Sequence, residues 1–365
     1  MGKTSIEWTE STWNPIRGCS KVSPECSNCY AETIATRYSG AGCPFSGVIK
    51  NAHWNNKIEL VPHKLREPFT WHKPRMIFTG SMTDIFHKDV PDEYLDKMFC
   101  IMAMAPWHTF QVLTKRSERM KEYLTALYNG QRRLGDQLKH VIRESDPHGD
   151  NAVTRIALAR AFDKLAGAFE KTSSPYTKYG PFQNIWCGVS IGSNDYKKRG
   201  EDLIQTPAAC RFISYEPALG PLDLSGLIEG NFDSEEFPSI NWVICGGESG
   251  PGARPMHPDW AESVRDQCLE HGVNFFFKQW GCWSPWPEHG AKKLVYGKNR
   301  IQIATSGYIN ERYYSIDEGG MYDRCMYRTK KKVAGRLLPY WKAGHRSKKA
   351  REWRQMPKFK HGRWQ

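Results

Sequence analysis

Six short apolar runs punctuate the chain, and their spacing restricts the fold more than any other feature. Met76-Ile77-Phe78, Phe110-Gln111-Val112-Leu113, Ile185-Trp186-Cys187-Gly188-Val189, Arg211-Phe212-Ile213, Trp242-Val243-Ile244-Cys245 and Phe275-Phe276-Phe277 start 34, 75, 26, 31 and 33 residues apart. A strand, a helix and two loops need about 30 residues, so this is the period of a βα unit. The runs lack strict alternation, as expected of strands buried on both faces. Two intervening segments read as helices. One is opened by Pro258-Asp259, striped by Trp260, Val264 and Leu269, and closed by Gly272; the other spans Asp92 to Met104, with Leu95, Met98, Phe99 and Met102 at helical spacing.

Repeated βα units imply a parallel sheet with right-handed crossovers. The predicted class is α/β, a partial or complete parallel (β/α) barrel over residues 1–328. A barrel is preferred to a doubly wound sheet because nearly every strand end carries chemically capable residues, and a barrel gathers its strand ends at one mouth. Thr79, Ser81 and Asp84, then Lys115 and Arg116, Ser190, Glu216, Glu248 and Lys278 all lie at such ends. The 75-residue spacing holds one unit plus an insertion at about 125–180, with an amphipathic helix expected over Asn151 to Glu170.

The formal charge of +13 is concentrated. From Thr329 to Gln365 there are 13 Lys/Arg and one acid, leaving 39 Lys/Arg against 38 Asp/Glu in residues 1–328. This basic tail, 329–365, interleaves its cations with Tyr340, Trp341, Trp353, Phe359 and Trp364. Cations neutralise phosphates and aromatics stack on bases, so nucleic acid is an expected partner of the tail. No run of 18 apolar residues exists, and Met1 to Ser5 lead into polar and aromatic residues, so neither a membrane span nor a secretory leader is expected. Eleven cysteines, an odd number spread thinly, point to a reducing compartment, hence a cytoplasmic location.

Three of those cysteines cluster: Cys19, Cys26 and Cys29, with six residues in the first gap and two in the second. Thiolates at this spacing favour an iron–sulfur cluster or zinc. A closed zinc site needs a fourth ligand, for which Cys43 or His53 is available. A four-iron cluster held by three cysteines leaves one iron free for an external ligand.

Thr12-Trp13-Asn14-Pro15, Gly18-Cys19 and Cys26-Ser27-Asn28-Cys29-Tyr30-Ala31 resemble the opening of the phage-associated three-Cys-motif family, regarded as radical S-adenosylmethionine-like. The similarity continues through Phe78 to His87, Leu113-Thr114-Lys115-Arg116, Arg211 to Pro217, Trp242 to Gly250 and Phe276 to Gly281. The resemblance implies a barrel of radical-SAM type and a [4Fe-4S] cluster on Cys19, Cys26 and Cys29. It further implies S-adenosyl-L-methionine as cosubstrate, cleaved to a 5′-deoxyadenosyl radical, and an external reductant. The substrate class stays open among nucleic acid, a nucleotide and a partner protein. Members of the family are associated with a separate three-Cys-motif partner protein, and the setting implied is a bacterial or phage-infected cell. Two departures are plain: radical enzymes usually have three residues in the first gap, and their aromatic precedes the third cysteine, whereas Tyr30 follows it.

Within that reading Thr79, Gly80 and Ser81 are placed to receive the methionine moiety, and Tyr30 to pack near the adenine. Gly246, Gly247 and Glu248 offer close backbone approach and a carboxylate for an amine or ribose. Lys115, Glu216 and Lys278 are the candidate catalytic residues, and Asp84 is expected to pair with His87. Gly188-Val189-Ser190-Ile191-Gly192 spells a hydrolase elbow but has no evident acid and histidine partners. The alternative function is a zinc-containing nucleic-acid-binding protein without turnover.

Overall fold

The computed structural model describes residues 4–132, 134, 182–229 and 240–283, together with backbone strands between 284 and 364. In chain order, β1 (Ser11–Trp13) and β2 (Ile16–Arg17) precede α1 (Tyr30–Arg37). The short β3 (Ile49–Lys50), β4 (His53–Trp54) and β5 (Glu59–Leu60) follow. Then come β6 (Met76–Thr79), α2 (Asp92–Met104), β7 (Thr109–Thr114), α3 (Ser117–Tyr128) and β8 (Ile185–Ser190). The series ends with α4 (Lys198–Ile204), β9 (Cys210–Tyr215), β10 (Trp242–Gly246), α5 (Pro258–Glu270) and β11 (Asn274–Gln279).

Seven of these strands form one sheet in the order β1-β6-β7-β8-β9-β10-β11, every neighbouring pair parallel. The sheet curls into a half-barrel, so of the two expected forms the partial barrel is the one adopted. All six apolar runs became strands. The seventh strand, β1, is three residues of mixed polarity and carried no such signal.

Register explains the two cores. Ile77, Phe110, Val112, Val189, Ile213, Val243 and Phe275 face the helices, packing with Leu95 and Met98 of α2, Met120 of α3 and Trp260 and Val264 of α5. The alternate residues face the inside of the curl, where Trp8, Phe78, Trp186, Phe212, Trp242 and Phe276 form a separate aromatic floor. Trp8 enters from the N-terminal segment, with ring centroids 4.8 Å from Phe78 and 6.2 Å from Trp242. Gly188 belongs to this inner row. A Cβ there would lie 2.5 Å from the Phe212 ring, so a glycine is what lets the aromatic layer close.

Two expectations need correction. Leu269 does not join the apolar stripe of α5: it is 41% exposed, and Cys268 takes the buried position instead, because it lies one full turn after Val264. The insertion does not begin at 125, since α3 continues through Tyr128 with Tyr123, Leu124 and Leu127 buried. Arg132 follows it, bonded to Asp92 and Asp96 of α2. The helix expected over 151–170 lies outside the described residues.

Beyond the half-barrel, β12 (Trp283–Ser284), β13 (Arg300–Ile303), β14 (Ile309–Asn310) and β15 (Arg324–Arg328) form an antiparallel sheet in the order β12-β15-β13-β14. The basic tail contains two antiparallel pairs. These are β16 (Leu337–Lys342) with β17 (His345–Glu352), and β18 (Phe359–Lys360) with β19 (Arg363–Trp364). Among the described residues no helix is long and apolar enough to cross a membrane.

Candidate functional site

The cysteine loop begins where β2 ends. Gly18 has φ +91°, and a Cβ on it would lie 2.1 Å from the Lys57 carbonyl oxygen, so only glycine makes this turn. Thr83, in the loop after β6, bridges Gly18 and donates its hydroxyl to the Gly18 carbonyl at 2.6 Å. Cys19 follows, Cys26 closes a single 3-10 turn, and Cys29 is the residue before α1.

Groups from the segments that follow four of the strands fasten this loop across the C-terminal mouth of the half-barrel. After β6, the Ser81 carbonyl accepts from the Tyr30 hydroxyl at 2.8 Å. After β7, Arg116 donates to the Ser20 hydroxyl and carbonyl at 2.9 and 3.1 Å while pairing with Asp84 at 2.8 Å. After β8, Arg199 holds Glu25 at 2.8 and 3.0 Å and also donates to the Ser190 carbonyl. After β10, Glu248 accepts from Asn28 at 2.9 Å, and Arg254 donates to Glu248 and to the Pro24 carbonyl. Two glycines permit the approach: a Cβ on Gly192 would lie 2.6 Å from Glu25, and one on Gly252 would lie 2.7 Å from Asn28.

The loop buries charge to do this. The Glu25 side chain is fully enclosed and depends on Arg199 for its only ion pair among the described residues. Burial pushes the Cys19 thiol up to about 11; Asp84 and Cys29 push the same way, and Arg116, with Nη1 4.0 Å from its sulfur, opposes them. Cys19 and Cys29 pack against one small apolar cluster that includes Val48, Trp54 and Met82. Cys26 stands apart, with Sγ 3.9 Å from the Ser23 hydroxyl. Among the described residues no group of three or more His, Cys, Asp or Glu side chains is arranged to hold a metal ion. Cys43 is exposed, and His53 turns to Glu32 at 3.4 Å.

Beneath the loop, inside the curl and above the aromatic floor, Lys278 and Glu216 form an ion pair at 2.7 and 2.9 Å. Gly246 lies between them in the sheet, and a Cβ on it would lie 3.2 Å from Glu216 Oε1. Tyr30 is 47% exposed overall, but its hydroxyl end turns inward; packing there, then Cys29 and Glu216, raises its pKa. A phenol so placed stays protonated and acts as a donor.

The predicted residues therefore divide. Glu216, Lys278, Gly246, Tyr30 and Ser81 meet around the mouth. The Ser81 hydroxyl exchanges hydrogen bonds with Asn14. Gly80, at φ +81°, turns the chain after β6. Thr79 points the other way, its buried hydroxyl 4.0 Å from Met102 Sδ of α2. Lys115 contributes its backbone N–H to Asp84 at 3.0 Å. Glu248 is 4% exposed, its carboxylate already engaged by Asn28 and Arg254, while Gly247 packs against the Trp280 carbonyl. The His87 backbone N–H donates to the Asp84 carbonyl at 3.0 Å, but the two side chains are not bonded to each other. Asp84 accepts from Thr114, Lys115 and Arg116, and His87 faces Ser20 at 2.7 Å. Ser190 is 2% exposed and donates to the Glu216 carbonyl, so Gly188 and Gly192 flank it for packing reasons and no nucleophile is presented.

Sequence reasoning missed Asn28, Glu25, Arg199 and Arg254. Glu25 and Asn28 lay inside the cysteine motif itself. A carboxylate between two closely spaced cysteines was the available signal that a cation elsewhere must meet it.

A parallel α/β half-barrel with a three-cysteine loop fastened over its mouth is the class that fold and site define. Residues 3–346 match the family model described as Protein of unknown function (DUF5131), and the chain belongs to that family. No curated protein and no solved structure matches it.

Proposed function

We propose that the protein is a radical S-adenosylmethionine-type enzyme on a half-barrel of radical-SAM type, with Cys19, Cys26 and Cys29 as the ligands of a [4Fe-4S] cluster. The observation that carries this reading is the fastening of the cysteine loop by Ser81, Arg116, Arg199 and Glu248, each from the segment after a different strand, above a lumen that contains Lys278 and Glu216.

The donor set fits such a group in its chemistry. Three thiols lie on one short loop, two of them share one niche, and soft thiolates are what iron–sulfur clusters take. The three are not gathered into a metal-holding group as they stand, so cluster loading has to draw Cys26 toward the other two. The elevated Cys19 pKa means that loading displaces a proton, so cluster binding is favoured by raised pH. When bound, a three-cysteine cluster supplies the open iron site and the electron that cleave S-adenosylmethionine. The protein's own residues do the rest. Lys278 offers an ammonium to an anionic group entering the lumen, Glu216 holds that ammonium in place, and the Tyr30 hydroxyl fixes the Ser81 turn. The aromatic floor closes the lumen from below. Nucleic acid, a nucleotide or a partner protein is the substrate class, and an external reductant is required.

Anaerobic purification and reconstitution test the reading. About four irons and four sulfides per chain, with 5′-deoxyadenosine formed on reduction in the presence of S-adenosylmethionine, are expected. Loss of both in Cys29→Ala assigns them to the loop. Stoichiometric zinc without iron would replace this reading with a non-catalytic zinc protein.

A further inference from the structure

The outer face of α1 and the β3–β4 hairpin beside it combine exposed aromatics with unpaired cations. Tyr30, Ile34 and Tyr38 recur every fourth residue and are 47%, 38% and 55% exposed, three of the five large hydrophobics exposed among the described residues. The adjoining face of the helix, Ala31 and Ala35, is buried against Val48, Trp54 and Met82, so the orientation of the exposed stripe is set by packing. Arg37 at the end of α1 and Lys50 in the hairpin are exposed beside it, Lys57 is exposed three residues past the hairpin, and none of the three makes an ion pair among the described residues. The carboxylates of this segment are withdrawn. Glu25 is enclosed by Arg199, and Glu32 is buried beneath Lys21 and His53. Glu59, partly exposed in β5, is paired with Arg17 at 3.2 Å.

The platform is also rigid. The hairpin turns at Asn51 and Ala52, both at positive φ, and Thr36 of α1 donates to the Ala52 carbonyl at 3.1 Å. Phe45 donates its backbone N–H to the Tyr38 carbonyl. Rings held this way are presented without a further ordering cost, and Tyr30 and Tyr38 stand roughly 12 Å apart along the helix.

We propose that this face binds single-stranded nucleic acid, Tyr38 and Tyr30 stacking on bases and Arg37, Lys50 and Lys57 meeting phosphates. Unpaired cations with no exposed acid among them complement a polyanion, and exposed ring faces need bases free of their own partners, which a duplex does not offer. The stripe ends at Tyr30, beside Cys29, so a bound strand runs toward the mouth of the half-barrel. This deepens the enzymatic reading by naming its substrate class, but binding needs neither cluster nor reductant, and iron content separates failure of one from failure of the other.

The test is fluorescence anisotropy of the full-length protein with a labelled oligouridylate, an oligothymidylate and a duplex of equal length, over a range of salt. Tyr38→Ala is expected to weaken single-strand binding about tenfold, whereas Tyr38→Phe binds like the parent. The double variant Lys50→Gln/Lys57→Gln is expected to flatten the salt dependence by about 1.4 in log–log slope, two phosphate contacts' worth. The proposal is overturned if the parent binds no single strand, or if all three variants bind like the parent, which would place binding elsewhere, as in residues 329–365. It is equally overturned if duplex binds as tightly as single strand and Tyr38→Ala changes neither.

Discussion

Lys278 of β11 reaches across β10 to grip both carboxylate oxygens of Glu216, which lies just past β9, and Gly246 is the residue it passes over. The pair is mostly enclosed, with side chains 12% and 19% exposed. Removing the ammonium in Lys278→Met leaves a half-buried carboxylate unanswered, and a stability loss of about 2 kcal/mol is expected from the denaturant midpoint. Glu216→Gln keeps a hydrogen-bond acceptor and is expected to cost less. On the proposed function, both variants are expected to take up iron like the parent and lose turnover, which iron content and product assay separate.

Arg199 and Glu25 make the deepest of the loop's fastenings. Arg199→Ala strands an enclosed carboxylate, and the larger loss of about 3–5 kcal/mol is expected if the loop stays in place. If the loop lifts away instead, limited proteolysis between Cys19 and Cys29 reports it, and iron loading falls. Arg199→Ala combined with Glu25→Gln is expected to recover part of the loss. A double variant no better than the single would contradict the pairing.

Acid is expected to loosen the site through His87. Burial, reinforced by Arg116, holds its pKa below the ordinary imidazole value. Its Nδ1 accepts from the Asp89 N–H, so the proton sits on Nε2 and is donated to Ser20. The folded state therefore resists protonation that the unfolded chain accepts near pH ~6.5. The stability from this group is present above that value and is lost as pH falls through it toward the folded pKa. Urea midpoints measured through this window should decline in the parent and decline less in His87→Gln.

Gly188→Ala places a methyl 2.5 Å from the Phe212 ring. Overpacking of about 1–3 kcal/mol is expected, visible in thermal melting. Phe212→Leu should relieve it, so the two substitutions are non-additive. Strict additivity would mean that the inner rows are not packed as described.

The half-barrel was legible because strands buried on both faces advertise themselves as continuous apolar runs, and all six did. β1 was not, since three residues with two polar neighbours carry no period. The Asp92 to Met104 helix was read to the residue, helped by its dense apolar content. Leu269 was misread because spacing alone cannot separate adjacent positions on the edge of a helical stripe. At the site, the cysteines and the Glu216 and Lys278 positions were visible as unusual residues at strand ends. Thr79 was taken as facing the mouth, yet strand alternation puts it against α2. Arg199 and Arg254 were invisible for a different reason: nothing local marks a surface-coded arginine as the partner of a carboxylate or carbonyl far away in the chain.

That distance has a consequence for biogenesis. The contacts that pin the cysteine loop join residues 174, 220 and 230 positions apart. During synthesis the three thiols emerge first, while the arms that immobilise them are still untranslated. Until β10 has been added, the loop has only the earlier fastenings from Ser81, Thr83, Arg116 and Arg199. A chain truncated before Arg254 would therefore display the sulfurs on a loop tied along one side only.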